Sequence, residues 1–330
     1  MRVLRPMSTL LIASTHDPAS LNLYSALSEK LYWNTVLAQT DHKIHSTLTK
    51  TGHQLFLWLQ ATPLLRLDFP DRAFLSALGK EEPIADLIFL SRHAAASGKP
   101  SLTVHPIGIP WQTENEESGG IPGRCSPPSF RISSLYRDIL QVAKSSPLAA
   151  EYEVTLEATH HGPHCDKPAC FVEIGSTEGE WSRPELGSLW CTALEKHFGI
   201  GSEKPSTTIL NSGVAVIMIG GGHYVPKLND MARSRDNVFI GHALTTYALK
   251  DSLESSDERY RAIILEAIQS TRLSFGEMRI ICLVDKKAFN ADGRRRIEEI
   301  LAEAAVEWTY KSGDIEAAAK SNALAYGLSA

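Results

Sequence analysis

Apolar and β-branched residues gather in eight short runs along the chain: TLLIAST (9–15), IADLIFLS (84–91), SLTVHPIG (101–108), EVTLEATH (153–160), ACFVEIGS (169–176), VAVIMIGG (214–221), NVFIGHAL (237–244) and RIICLVD (279–285). In most of them neighbouring positions are apolar, without a polar residue at every second place. That pattern predicts strands covered on both faces. Between several runs a helical period takes over, in FRISSLYRDILQVAKS (130–145), RPELGSLWCTALEKHFG (183–199), RYRAIILEAIQSTRLS (259–274) and RRRIEEILAEAAVEW (294–308). Ser182 and Glu185, three apart, have the spacing of a capping box at the start of the second. Strands without alternation, separated by helices, predict a three-layer α/β/α fold on a mostly parallel or mixed sheet. The stretch from 30 to 80 is less regular, and 113–129, rich in Gly, Pro and Ser, reads as a surface loop. One domain is expected over 1–310, with 311–330 as a tail that has little to pack.

Composition narrows the class. A chain of 330 residues, 43% of them hydrophobic, can bury a large core and is not a disordered one. Five cysteines, Cys125, Cys165, Cys170, Cys191 and Cys282, form no CxxC pair, and the start MRVLRPMSTLLIAST carries only a short apolar run. Free thiols, a cytoplasmic location and a first strand without a secretory leader are the expectation. No stretch approaches the roughly 18–20 apolar residues of a membrane span, so no membrane partner is expected. A net charge of −5 argues against a broad, sequence-blind nucleic-acid binder. A local basic patch stays open at Arg92 and Lys99, Arg131 and Arg137, Lys227 with Arg233 and Arg235, or Arg294 to Arg296.

The candidate chemistry lies at strand ends. Six of the twelve histidines, His93, His105, His160, His161, His223 and His242, fall there, and in open α/β sheets ligands bind beyond the carboxyl ends of strands. In LEATHHGPH, Glu157 and His161 share one face of an extended chain, with His160 on the other unless the turn at Gly162 and Pro163 swings it round. Imidazoles and a carboxylate are usual zinc ligands, although the spacing matches no standard zinc motif. Glu173, inside an apolar strand, needs a partner: a metal, a proton to move, or a cation in a structural ion pair. Gly220, Gly221 and Gly222 before His223 make either an anion-binding turn or a tight turn with positive φ. Arg92 and Lys99 could face phosphate, and His93, His105 and His242 each suit a site or a hydrogen-bonded place in the core.

The segments STHDPAS, FLSRHAAASGKPSLTVHPIG, LEATHHGP, KPACFVEIGSTEGEW, IGGGHY and GHAL resemble, in the same order, the motifs of archaeal and plant D-aminoacyl-tRNA deacylases. The resemblance runs from about 8 to 290. It implies a phosphorylase or peptidyl-tRNA hydrolase-like fold, zinc as cofactor, and hydrolysis of the ester between a D-amino acid and the terminal ribose of tRNA, including aldehyde-modified forms. On that reading zinc, or a polarising role, falls to Glu157, His160 and His161, with Glu173 as a further metal ligand or base, and His223 beside the glycines binds the oxyanion or terminal ribose, so that Glu157, His161, Glu173 and His223 do the chemistry. Arg92, His93, Lys99, His105, the three glycines and His242 would hold substrate. D-aminoacyl-tRNA is then the partner, with no obligate protein partner. Two rival classes use the same residues: a metal-assisted amidase or carboxypeptidase-like hydrolase, and a tRNA-binding module without turnover.

Overall fold

The computed structural model describes residues 8–110, 118–200, 205, 213–253 and 257–325. The residues expected as one domain divide into two compact units of an interleaved chain: Met1–Val104, Ser134–Thr155 and Cys165–Thr207 make the first, and His105–Ser133, Leu156–His164 and Thr208–Ala330 the second.

The first unit is built on β1 (Ser8–Ser14), β2 (Asn34–Ala38), β3 (His42–Leu48), β4 (Gln54–Gln60), β5 (Ile84–Arg92), β6 (Ser101–Pro106), β7 (Glu153–Leu156) and β8 (Ala169–Gly175), in the order β2-β3-β4-β1-β5-β8-β6-β7. β1 lies parallel to β4 and β5, and β5 parallel to β8. β1 and β8 are buried along their whole length, as their largely apolar runs suit them to central strands. The less regular stretch holds β2 to β4, an antiparallel meander at the sheet edge. Its outer strand β2 is almost wholly exposed, which is why no apolar pattern announces it. The helices are α1 (Pro18–Lys30), α2 (Pro70–Leu78), α3 (Ile132–Lys144), α4 (Glu178–Trp181) and α5 (Pro184–Phe198). Asp17 caps α1 by accepting from the Ser20 amide, and Pro18 fills the first turn, where no amide is missed. The capping box expected at Ser182 belongs one helix earlier. Thr177 donates to Glu180 from its amide at 2.8 Å and from its hydroxyl at 2.6 Å, opening α4, and α5 starts after Arg183 without a side-chain cap.

The second unit carries a four-stranded, all-parallel sheet, β10-β9-β11-β12, formed by β9 (Val214–Ile219), β10 (Val238–Leu244), β11 (Arg279–Val284) and β12 (Glu307–Thr309). Helices α6 (Pro226–Ser234), α7 (Thr246–Leu253), α8 (Asp257–Phe275), α9 (Ala291–Glu303) and α10 (Ser312–Ala325) accompany it. Its core joins Ala215, Ile217 and Ile219 of β9 to Ile264 and Ile268 of α8 and Ile297 of α9. The expected tail is tied down: Ile315 and Ala319 are buried, Asn237 donates to the Ala319 carbonyl at 2.7 Å, and Arg235 pairs with Glu316. Residues 326–330 lie outside the described residues, as do 113–117 of the expected surface loop; the rest of that loop is described, and its end, 125–129, is buried instead of lying on the surface. The fold class is the mixed α/β one predicted. No described helix is long and apolar enough to cross a membrane.

Candidate functional site

The second unit brings together four of the six histidines at strand ends. After β7 the chain runs through 156–162 as a strip fastened by its backbone at nearly every residue. The Leu156 amide donates to Asn229 Oδ1 at 2.7 Å, Ala158 to the His223 carbonyl at 2.8 Å, and Thr159 to Ala243 at 3.0 Å. His160 forms a parallel bridge with Ile107, and the Gly108 amide donates to the His161 carbonyl at 3.0 Å. The bridge sets His160 beside His105 of β6, their ring centroids 4.1 Å apart. His161 stands 4.3 Å from His160 and 4.9 Å from His105. His160 therefore does not turn away from its neighbour. The strand ends at Leu156, and His161 takes the left-handed backbone conformation, φ +42°, which puts successive side chains on one side instead of alternating them.

The hydrogen bonds of these rings fix which nitrogen can act. Nδ1 of His160 lies 2.8 Å from the Ala158 carbonyl, Nδ1 of His161 2.8 Å from that of Gly162, and Nδ1 of His105 3.0 Å from that of Pro106. A carbonyl only accepts, so each Nδ1 carries the proton and each Nε2 keeps its lone pair. The three rings can offer ligand atoms within 4.8 Å of one another, and Glu157, His160 and His223 form a second such group. Imidazoles whose second nitrogen is anchored to backbone carbonyls are the arrangement in which protein zinc ligands are held. The donor set thus fits zinc, with His160 common to both groups. Glu157 has a fully buried side chain, and its Oε1 is 2.9 Å from His223 Nε2. With the carboxylate accepting from Nε2, Nδ1 is the acceptor nitrogen of the ring, 3.3 Å from the Tyr247 hydroxyl.

His242 belongs elsewhere than expected. It is completely buried, with Nδ1 3.0 Å from Thr159 Oγ1 and Nε2 3.0 Å from Ser270 Oγ. Both nitrogens serve the fold, so it cannot touch substrate; it holds the strip through Thr159. Burial pushes its imidazole down to about 3, against an unfolded value near 6.5. A neutral folded ring contributes stability that is complete above about pH 6.5 and is lost as pH falls toward 3. Urea unfolding at pH 7.5, 6 and 5 should show wild type losing about 1–3 kcal/mol across that range and His242→Gln losing less. Parallel slopes would refute the assignment.

In the first unit, Glu173 of β8 finds the partner that its burial demands. Its Oε2 accepts from Thr103 Oγ1 at 2.9 Å and is 3.6 Å from His93 Nδ1. Gly175 makes room for that imidazole, since a Cβ there would lie 2.7 Å from two His93 side-chain atoms. Asp17 binds the end of β5, accepting from the Ser91 hydroxyl and the Arg92 amide, each at 3.0 Å. Its carboxyl is raised above the ordinary value by burial, against the opposing pull of these donors. In the sequence Asp17 stands out only as part of STHDPAS, with no chemical signal of its own. The exposed Arg92 guanidinium lies over the Trp181 ring at 5.1 Å. Lys99 pairs with Glu153. Most of the other expected basic patches are neutralised too: Lys227 by Asp285, Arg235 by Glu316, Arg295 by Asp292 and Glu299. The amides of Gly220 and Gly221 are used inside the fold, donating to the Leu244 carbonyl at 2.7 Å and to Thr246 Oγ1 at 2.8 Å.

Parallel strands ending in anchored imidazoles and carboxylates define an α/β protein with a histidine-rich centre of the kind hydrolases use. The comparisons with known proteins place it further. The family model for D-aminoacyl-tRNA deacylase matches residues 80–309. A D-aminoacyl-tRNA deacylase of Arabidopsis thaliana is 35% identical over 316 residues, covering 91% of this chain and 97% of the relative. One from Aeropyrum pernix is 33% identical, covering 68% and 75%. The chain belongs to the D-aminoacyl-tRNA deacylase family. Its fold is also that of a crystal structure of a conserved protein of unknown function, AF0625, with a TM-score of 0.73, 24% identity, and 95% and 98% of the two chains covered.

Proposed function

We propose that this chain is a cytoplasmic hydrolase that cleaves the ester between a D-amino acid and the 3′-terminal ribose of tRNA, with zinc held by His105, His160 and His161. The observation that carries the reading is the cluster of these three rings, each held at Nδ1 by a backbone carbonyl and together able to offer ligand atoms within 4.8 Å of one another, in a chain of this family. Zinc bound there would polarise the ester carbonyl and favour attack by water. The remaining work falls to the chain. His223, oriented by Glu157 as the His of a catalytic dyad is oriented by its carboxylate, accepts the water proton at Nδ1 and returns it to the ribose oxygen as that oxygen leaves. Because an aminoacyl ester is already activated, a positioned base and a stabilised oxyanion suffice. Asn229 keeps the dyad in register: its Oδ1 accepts from the Leu156 amide, next to Glu157, and its Nδ2 donates to the Tyr224 carbonyl, next to His223.

In the first unit, Arg92 on Trp181 offers a cation and a flat face to the nucleic acid. His93, buried against Glu173, and Lys99, paired with Glu153, hold the fold there and are not given a substrate contact in our reading. The test is deacylation of matched D- and L-tyrosyl-tRNA by purified protein, before and after chelation and with zinc restored. Release of only the D-ester, lost on chelation and regained with zinc, is the expected result. Hydrolysis indifferent to chelation would remove zinc from the reading, and turnover of free peptides but neither ester would replace the deacylase with an amidase.

A further inference from the structure

We infer that Tyr247, with Tyr224 beside it, is the platform on which the 3′-terminal nucleoside of the substrate stacks; the inference rests on the deacylase reading above. It begins with the glycine turn. Gly220 and Gly221 have φ of +92° and +97°, a conformation that side chains rarely adopt. A Cβ on Gly220 would also lie 2.7 Å from the Phe289 ring and 2.9 Å from Ala288 Cβ. This backbone is spent on gripping the start of α7. Gly221 donates to Thr246 Oγ1 at 2.8 Å, and its carbonyl accepts from the Thr246 amide at 3.0 Å and hydroxyl at 3.1 Å. The turn therefore clamps Thr246, and the next residue is Tyr247.

What the clamp holds in place is an exposed aromatic ring. Tyr247 is 50% exposed and Tyr224 39%, and both flank the imidazole that Glu157 orients. Tyr247 brings its hydroxyl to 3.3 Å from His223 Nδ1, and the Tyr224 ring meets His223 edge-on with centroids 5.1 Å apart. A large ring fixed at its backbone, wet on one side and next to the base, is poorly explained by packing. It is well suited to a nucleobase, which stacks on aromatic faces whatever its sequence. Charge points the same way. With a net −5 and Lys99, Lys227, Arg235 and Arg295 each engaged by a carboxylate, phosphate neutralisation can supply only part of the grip on an acceptor end. Stacking close to the scissile ester supplies the rest, and it also fixes the ribose whose 3′ oxygen leaves.

The two experiments separate this inference from the reading beneath it. Steady-state deacylation of D-tyrosyl-tRNA should show KM rising about tenfold in Tyr247→Ala, with a smaller change in kcat. Tyr247→Phe, which keeps the ring and loses the hydroxyl, should recover most of that loss. For D-tyrosine ethyl ester, which has no nucleoside, the alanine variant should raise KM far less than for the tRNA ester. Calorimetric affinity for the uncharged trinucleotide CCA, which needs no turnover, should fall about tenfold in Tyr247→Ala and be restored in Tyr247→Phe. An alanine variant that binds CCA as tightly as wild type overturns the inference even if the deacylase stands. So does a phenylalanine variant whose kcat falls as far as that of alanine, which would make the hydroxyl a proton relay. Wild type that binds CCA through Tyr247 but hydrolyses neither ester would leave the platform and remove the enzyme.

Discussion

Replacing His160 with alanine should lower turnover of D-aminoacyl-tRNA by about 10³-fold and, with zinc held as proposed above, strip that metal from the protein. His160 is singled out because it belongs to both groups of converging donors, with His105 and His161 on one side and Glu157 and His223 on the other. Its ring is locked in direction by the Ala158 carbonyl and in place by the backbone bridge to Ile107. The imidazole is only partly buried, so its loss should leave the fold intact and the defect chemical. The checks are zinc per chain by atomic emission, circular dichroism and single-turnover deacylation. A folded His160→Ala protein that keeps its zinc and more than a tenth of its rate would move the metal off this cluster and leave the rings as hydrogen-bonded supports.

Much of this was legible in the residues, and the exceptions have physical causes. The eight apolar runs became strands because a strand buried on both faces has to be apolar nearly throughout, as β1 and β8 are. β2 escaped notice because an edge strand facing solvent carries no such mark. Of the helices absent from the sequence expectation, α1, α2 and α6 open on a proline, Pro18, Pro70 and Pro226. Proline pre-sets the first turn, but it is read as easily as a loop signal. At the site, the sequence placed the histidines correctly at strand ends and could not say which of them turn inward. His242 lies inside β10, buried with Ser270 of α8 on its Nε2, whereas His223 lies in the turn after β9 and stays partly exposed. The direction of His160 depended on one backbone angle at His161, which a pattern of alternating faces does not encode. Tyr247 had a faint signal, an aromatic two residues after Thr245 behind a histidine strand, and only the glycine clamp gives it meaning.

That same backbone angle leads to the second large effect. Gly162→Ala should destabilise the protein by about 1–3 kcal/mol and depress activity beyond what the stability loss explains. A Cβ at Gly162 would stand 2.3 Å from the Gly120 amide nitrogen, 2.6 Å from its Cα and 2.7 Å from the Gly119 carbonyl carbon. All three are backbone atoms, so no side chain can swing aside. The loop cannot simply retreat, because the Gly162 amide donates to the Ser118 carbonyl at 2.7 Å. Relief must come from the histidine strip, and the Gly162 carbonyl is the acceptor that fixes His161 Nδ1. Moving it frees the tautomer on which the three-ring site depends. Gly313, at the start of α10, makes the control: a Cβ there meets nothing within 4 Å, and Gly313→Ala should hold or raise stability, since alanine favours helix over glycine by up to about 1 kcal/mol. Urea midpoints for the two variants, read beside their deacylation rates, decide the matter. A Gly162→Ala protein with wild-type stability and rate would mean that the 118–120 loop yields freely and that the close approach constrains nothing.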